Sequence, residues 1–96
     1  MKYLPVEWPY VQDLFEIPGF RENSYLIDDD KGYEDFGDSA YFVSLEFLQT
    51  DEEDDAYLLV DWPESQRYED IEGFYENSYP SGNGAVFIAM SWIKNI

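Results

Sequence analysis

The chain has 96 residues and carries 22 acidic side chains against five basic ones, with no cysteine and no histidine, for a formal net charge of −17. That length suits one small domain. The missing cysteines exclude disulfides and thiolate zinc sites, and a field of this sign repels nucleic acid and anionic membranes while attracting a basic protein or a cation.

Residues 1–50 carry 11 acids and three bases and residues 51–96 carry 11 acids and two bases, so the charge is spread over both halves and is not a tail. Aromatic residues make up 20% of the chain and hydrophobic residues 45%, enough for a packed core despite the charge.

Tyr3 to Trp8 reads as a strand with Leu4, Val6 and Trp8 on one face, and Pro5 predicts an edge or early position for it. Pro9 stops the strand and suits the first turn of a helix over Pro9 to Glu16, where Val11, Leu14 and Phe15 form an apolar stripe. Gly19 follows as a terminating residue, with Phe20 placed to fold back on the helix. Glu22-Asn23-Ser24-Tyr25 is turn chemistry, because Asn and Ser side chains bond to nearby backbone. Ser24 to Ile27 reads as a second strand, Asp28 to Asp38 as a polar loop, Ala40 to Val43 as a third strand and Ser44 to Leu48 as a short helix. Thr50 and the five acids Asp51, Glu52, Glu53, Asp54 and Asp55 form a linker.

After that linker the pattern repeats. Tyr57 to Tyr79 aligns without a gap on Tyr3 to Tyr25, with 13 of 23 residues identical, a level that marks an internal duplication. Trp62, Pro63, Gln66, Gly73, Phe74, Glu76, Asn77, Ser78 and Tyr79 stand where Trp8, Pro9, Gln12, Gly19, Phe20, Glu22, Asn23, Ser24 and Tyr25 stand in the first copy. The second helix is more polar, Pro80 cuts its following strand short, and Ser81-Gly82-Asn83 replaces the long acidic loop. Ala85 to Ile88 and Ala89 to Ile93 then match the third strand and terminal helix of the first copy in character.

The expected fold is therefore α+β. It is a single domain over 1–96 made of two tandem β-α-β-β-(α) repeats, 1–50 and 56–96, joined by the acidic linker 51–55 and packed with pseudo-two-fold symmetry. Neither half can close a core alone at about half of a small domain's length.

The candidate chemistry is thin. Asp28-Asp29-Asp30-Lys31-Gly32 invites a calcium loop, but with Asp28 at position one the glycine falls at five and Ser39 at twelve, which fails the EF-hand pattern. Glu22 and Glu76 recur as a carboxylate pair fit in principle for acid–base work. Ser24 and Ser78 have no histidine to activate them. Trp8 and Trp62, at the junctions of strand and helix, are expected to fill a core, with a ligand-stacking platform as the other reading.

What remains is the surface. Asp28, Asp29, Asp30, Glu34 and Asp35 in the first acidic stretch, Asp51 to Asp55 in the linker, and the tyrosines Tyr33 and Tyr75 make the candidate partner-binding set, since tyrosine among carboxylates offers contact area at low entropic cost. A compact, carboxylate-coated body can also imitate the charge density of duplex DNA.

VEWPYVQ, VDWPESQ, GFRENSYL, the acidic loop GYEDFG and SAYFVSLEFL together resemble small acidic proteins carried on conjugative transposons of gut bacteria. The resemblance covers most of the chain, brings no activity with it, and implies a mobile-element context and an accessory role.

The functional expectation is a non-enzymatic module that binds a basic protein partner, without cofactor, metal, direct nucleic-acid or membrane contact. The alternatives are a DNA mimic of the antirestriction or anti-CRISPR kind and a small enzyme or ligand-binding domain using Glu22 and Glu76. The N-terminus lacks a signal-peptide core and no apolar run approaches membrane-spanning length, so the expectation is a cytoplasmic protein, monomeric or weakly dimeric.

Overall fold

The computed structural model describes residues 1–81 and 83–96. Six strands form one antiparallel sheet in the order β2-β3-β1-β4-β6-β5. They are β1 (Lys2–Val6), β2 (Ser24–Leu26), β3 (Tyr41–Ser44), β4 (Tyr57–Val60), β5 (Ser78–Pro80) and β6 (Val86–Ala89). The described helices are α1 (Asp30–Phe36), α2 (Leu45–Leu48), α3 (Gln66–Glu69) and α4 (Met90–Ile93), so the class is α+β in a single domain. The turn expected at Ser81-Gly82-Asn83 includes Gly82, which lies outside the described residues.

The sheet curls into a half-barrel, because its aromatic side chains meet across strands that are not neighbours. Tyr25 of edge strand β2 lies edge-on to Phe87 of β6, with ring centroids 5.4 Å apart. Phe42 of β3 stacks on Phe87 at 4.3 Å. Residues alternate faces along a strand, so Tyr3, Phe42, Tyr57, Tyr79 and Phe87 share the concave face, where they pack with Ile27, Ala40 and the half-buried Phe36 and Leu59. Edge-to-face contacts of this kind are worth about 0.5–1.5 kcal/mol each beyond the area they bury.

The other face is covered by the segments that follow β1 and β4. A 3-10 turn at Tyr10–Leu14 places Val11, fully buried, against Phe20 and Val43. Helix α3 occupies the corresponding place after β4, with Ser65 buried at its start, and Tyr68 and Phe74 pack on Trp92 of α4. The expected helix over Pro9 to Glu16 is thus this shorter 3-10 turn.

Several expectations hold in detail. Gly19 and Gly73 both adopt φ +93, a conformation that disfavours any Cβ. Asn23 and Asn77 each donate a side-chain hydrogen bond to the carbonyl of that glycine, at 2.8 Å in both places. The two short helices after β3 and β6 are α2 and α4.

Three expectations are corrected. Pro5 does not mark an edge, since β1 lies between β3 and β4. The Met1 carbonyl accepts from the Leu59 amide, and β1 pairs with β4 only at Lys2 and Tyr3. By the alternation of antiparallel ladders, the missing Pro5 N–H points toward β4 beyond their last pair, so it costs no ladder bond. The stretch Asp28 to Asp38 is not simply a loop, because Asp30–Phe36 is helix α1. Gly32 in that helix hid the signal, and it is there for packing: a Cβ on it would come within 2.3 Å of Ile27. Finally, Trp8 and Trp62 do not fill the core; they are 59% and 62% exposed. Each precedes a proline through a cis peptide bond.

Candidate functional site

The acidic residues stay at the surface: none of the 22 is buried, and only Asp29 and Glu53 are even half-buried. Among the described residues one ion pair forms, between Lys2 and Glu53. The Lys2 ammonium holds the Glu53 carboxyl below its ordinary range through a hydrogen bond and its charge. Among the described residues no group of three or more carboxylates gathers into a metal-binding arrangement.

Lys31 is occupied internally. Its ammonium donates to the carbonyls of Tyr75 and, at 2.8 Å, Ser78. It also lies 4.8 Å from the Tyr75 ring centre and 4.4 Å from that of Tyr79. Burial lowers its pKa, against the opposing pull of Asp35, Asp29 and Glu76. In the same contact the Tyr79 hydroxyl donates to Asp35. Burial first, then this carboxylate and Tyr57, holds the Tyr79 phenol far above its usual range. Helix α1 is thereby tied to β5 by one cation and one carboxylate.

The predicted partner-binding residues fall in two places. Asp28, Asp29 and Asp30 lie at the entry to α1, with Tyr33, 61% exposed, and Glu34 and Asp35 along it. The 3-10 turn bearing Tyr75, 72% exposed, comes beside this group through Lys31. Asp51 to Asp55 run separately between α2 and β4. Glu52, Asp54 and Asp55 line a cleft with Phe36 and Tyr57, while Asp51 and Glu53 lie near Met1 and Lys2.

Glu22 and Glu76 stand on separate 3-10 turns, Arg21–Asn23 and Tyr75–Asn77, both exposed. Glu22 borders a groove of about 510 Å³ that does not include Glu76.

Sequence reasoning missed that groove. Phe15 and Ile17, 44% and 45% exposed, wall it together with Phe20 and Tyr41, and Ser24 of β2 closes one side. At the other end of β2, Leu26, Asp28, Asp29, Asp30, Tyr33 and Asp38 surround a second depression of about 320 Å³. Phe15 reads as part of the helical apolar stripe with Val11 and Leu14, and nothing in the sequence tells that the segment is a 3-10 turn ending at Leu14 that leaves Phe15 and the following Ile17 out. No protein-family model matches the chain, and no curated protein or solved structure is similar to it. Among the described residues no helix is long and apolar enough to cross a membrane.

Proposed function

We propose that the protein is a non-enzymatic interaction module that binds a basic protein partner through its acidic, tyrosine-bearing surface, as a cytoplasmic accessory protein of a mobile element. The observation that carries this reading is the state of the carboxylates: 22 acids, none buried, and a single ion pair among the described residues. Exposed Tyr10, Tyr33, Tyr75, Trp8 and Trp62 supply the apolar contact area that charge alone lacks. The chain acts as a monomer or weak dimer, because self-association brings two strongly negative bodies together. The test is recovery of partners from host lysate at low and high ionic strength. Basic proteins recovered at low salt and lost at high salt are the expected outcome; the same partners in equal yield at both would make the charge incidental.

A second reading, a DNA mimic that occupies the basic cleft of a nuclease or repressor, is favoured by charge density. The net charge of −17 over a longest extent of 39 Å is one charge per about 2.3 Å, close to the one per about 1.7 Å of duplex DNA. This reading requires that the protein displace duplex DNA from its target, and a nuclease panel without competition would remove it. The third reading, catalysis by Glu22 and Glu76, would need the two carboxylates at one concave site, and they border different surroundings.

We also propose that the two halves are repeats of one unit packed about a pseudo-two-fold axis. The sheet order β2-β3-β1-β4-β6-β5 reads the same from either end when β1 to β3 are exchanged with β4 to β6. Tyr3 pairs with Tyr57 at the centre of the sheet, and these are the first residues of the duplicated stretch. The shared glycine φ of +93 and the paired asparagine bonds support the same relation.

A further inference from the structure

The sheet has two edges, and they are not equally available. Ile27 donates its amide to the Ala40 carbonyl, which fixes the alternation along β2. Tyr25 and Ile27 therefore direct their backbone groups to β3, and Ser24 and Leu26 direct theirs outward. The same logic applies to β5, where Ser81 donates to Ala85 and the outward residues are Ser78 and Pro80.

There the resemblance ends. On β5 the Ser78 carbonyl accepts from Lys31, and Pro80 has no amide to offer. A proline and an inward-pulled lysine are familiar ways of closing a sheet edge. On β2 the residue at the place of Pro80 is Leu26, 54 positions earlier, which is 54% exposed. Thus β5 is closed, whereas among the described residues no hydrogen bond occupies the outward backbone groups of Ser24 and Leu26 on β2.

The surroundings of β2 say what fits it. At the Ser24 end lies the groove walled by Phe15, Ile17 and Tyr41, with Arg21 and Glu22 also lining it; at the Leu26 end lies the depression formed with Asp28, Asp29, Asp30 and Asp38. Strand residues rise about 3.4 Å each, so Ser24 and Asp28 are about 14 Å apart along the edge.

We infer that β2 is the docking edge for one extended basic segment of a partner protein, which adds as a seventh strand. An apolar side chain of that segment enters the Phe15–Ile17 groove, and a lysine or arginine about four residues away meets the Asp28–Asp30 carboxylates. Main-chain bonds to Ser24 and Leu26 supply the pairing, and the two end sites supply the selectivity. A second copy of this chain is disfavoured as occupant, since its charge of −17 would be brought against the same sign. The inference rests on the reading of a basic partner and adds the place, the strand-like form and a stoichiometry of one.

The probe is a short labelled peptide with valine at one position, lysine four residues later on the same strand face, and threonine and lysine between, titrated into the whole chain at low salt. Its twin carries N-methyl groups on the amides of one edge, with unchanged charge. The parent peptide is expected to bind one to one, and the twin about tenfold or more weaker. Leu26→Pro copies the closed edge, and its missing amide serves no bond within the sheet; it is expected to weaken the parent peptide by a similar factor. Pro80→Leu is expected to leave that binding unchanged.

Equal binding of parent and twin would overturn the strand-addition inference while leaving the acidic-module reading intact. Two peptides per chain, or a dimer formed through β2 without peptide, would overturn it as well. No binding of either peptide at low salt would count against both readings. Should Leu26→Pro fail to fold, the comparison of the two peptides on the natural chain still decides.

Discussion

At the scale of single residues, the polar contacts that matter are those made by Lys31, Asp35 and Tyr79, because each joins α1 to the far half of the sheet. Tyr79 is 3% exposed, so its hydroxyl needs the Asp35 oxygen it reaches. Tyr79→Phe should lower stability by about 1.5–2 kcal/mol, the lower part of the range for a hydrogen bond to a charged group because Asp35 is exposed, read as a shift in the denaturant midpoint with an unchanged slope. The concave face also sets an alkaline limit. Burial, then the neighbouring Tyr25, pushes the Tyr3 phenol up to about 12, and Tyr57 and Tyr79 are raised in the same direction. For an acid whose folded pKa lies above its unfolded value near 10, the neutral form is favoured by folding. Its contribution is complete below about pH 10 and is lost as pH rises toward about 12. Phenolate absorbance followed with circular dichroism should show these buried tyrosines ionising together with unfolding in that window. Their ionisation in an intact fold would show that the concave face admits water.

Among the elements, α1 is tied to β5 by Lys31 and Asp35, and Gly32 is what lets it seat. Replacing Gly32 by alanine gains about 1 kcal/mol of helix propensity but sets a Cβ against buried Ile27, an overpacking that costs about 1–3 kcal/mol. The net expectation is a loss of about 1 kcal/mol, a fall in Tm of about 4–8 °C for a domain of this size. Combining it with Ile27→Ala removes the clashing methyl and should give a coupled, less than additive loss. The same helix shows where the sequence was legible and where it was not. Strands β1 to β6, the two short helices after β3 and β6, and both Gly-Asn turns follow from local patterns, because alternation, β-branched content and turn chemistry are local. Helix α1 did not, since Asp28 to Asp38 holds two glycines and six acids, and only contact with Ile27 and Tyr79 explains Gly32. The exposure of Trp8, Trp62, Phe15 and Ile17 was likewise hidden, because an apolar residue reads as core until the path of the chain is known. The candidate site was half legible: its carboxylates and tyrosines were visible as composition, and the open β2 edge became visible only with the register of the sheet.

On the scale of the whole molecule, function and stability pull against each other through one quantity. A chain that keeps all 22 carboxylates at its surface, with a single ion pair among the described residues, presents an unneutralised field to any partner and pays for it in self-repulsion. The core that resists this repulsion is the aromatic concave face, whose ring-to-ring contacts do not depend on salt. Raising ionic strength from about 0.01 M to about 0.15 M shortens the Debye length from about 30 Å to about 8 Å. The body measures 39 × 26 × 22 Å, so charges across its two shorter dimensions lie within the longer screening length and beyond the shorter one, and they repel at the lower salt but cease to at the higher. Relief of about 1 kcal/mol would raise Tm by about 4–8 °C in a domain of this size, and differential scanning calorimetry in sodium chloride should show it. The same screening should weaken binding of a basic partner, so Tm and affinity should move in opposite directions over one salt series. A Tm that stays flat while affinity falls would place the interacting carboxylates in a local patch; a flat response in both would mean that the charge governs neither.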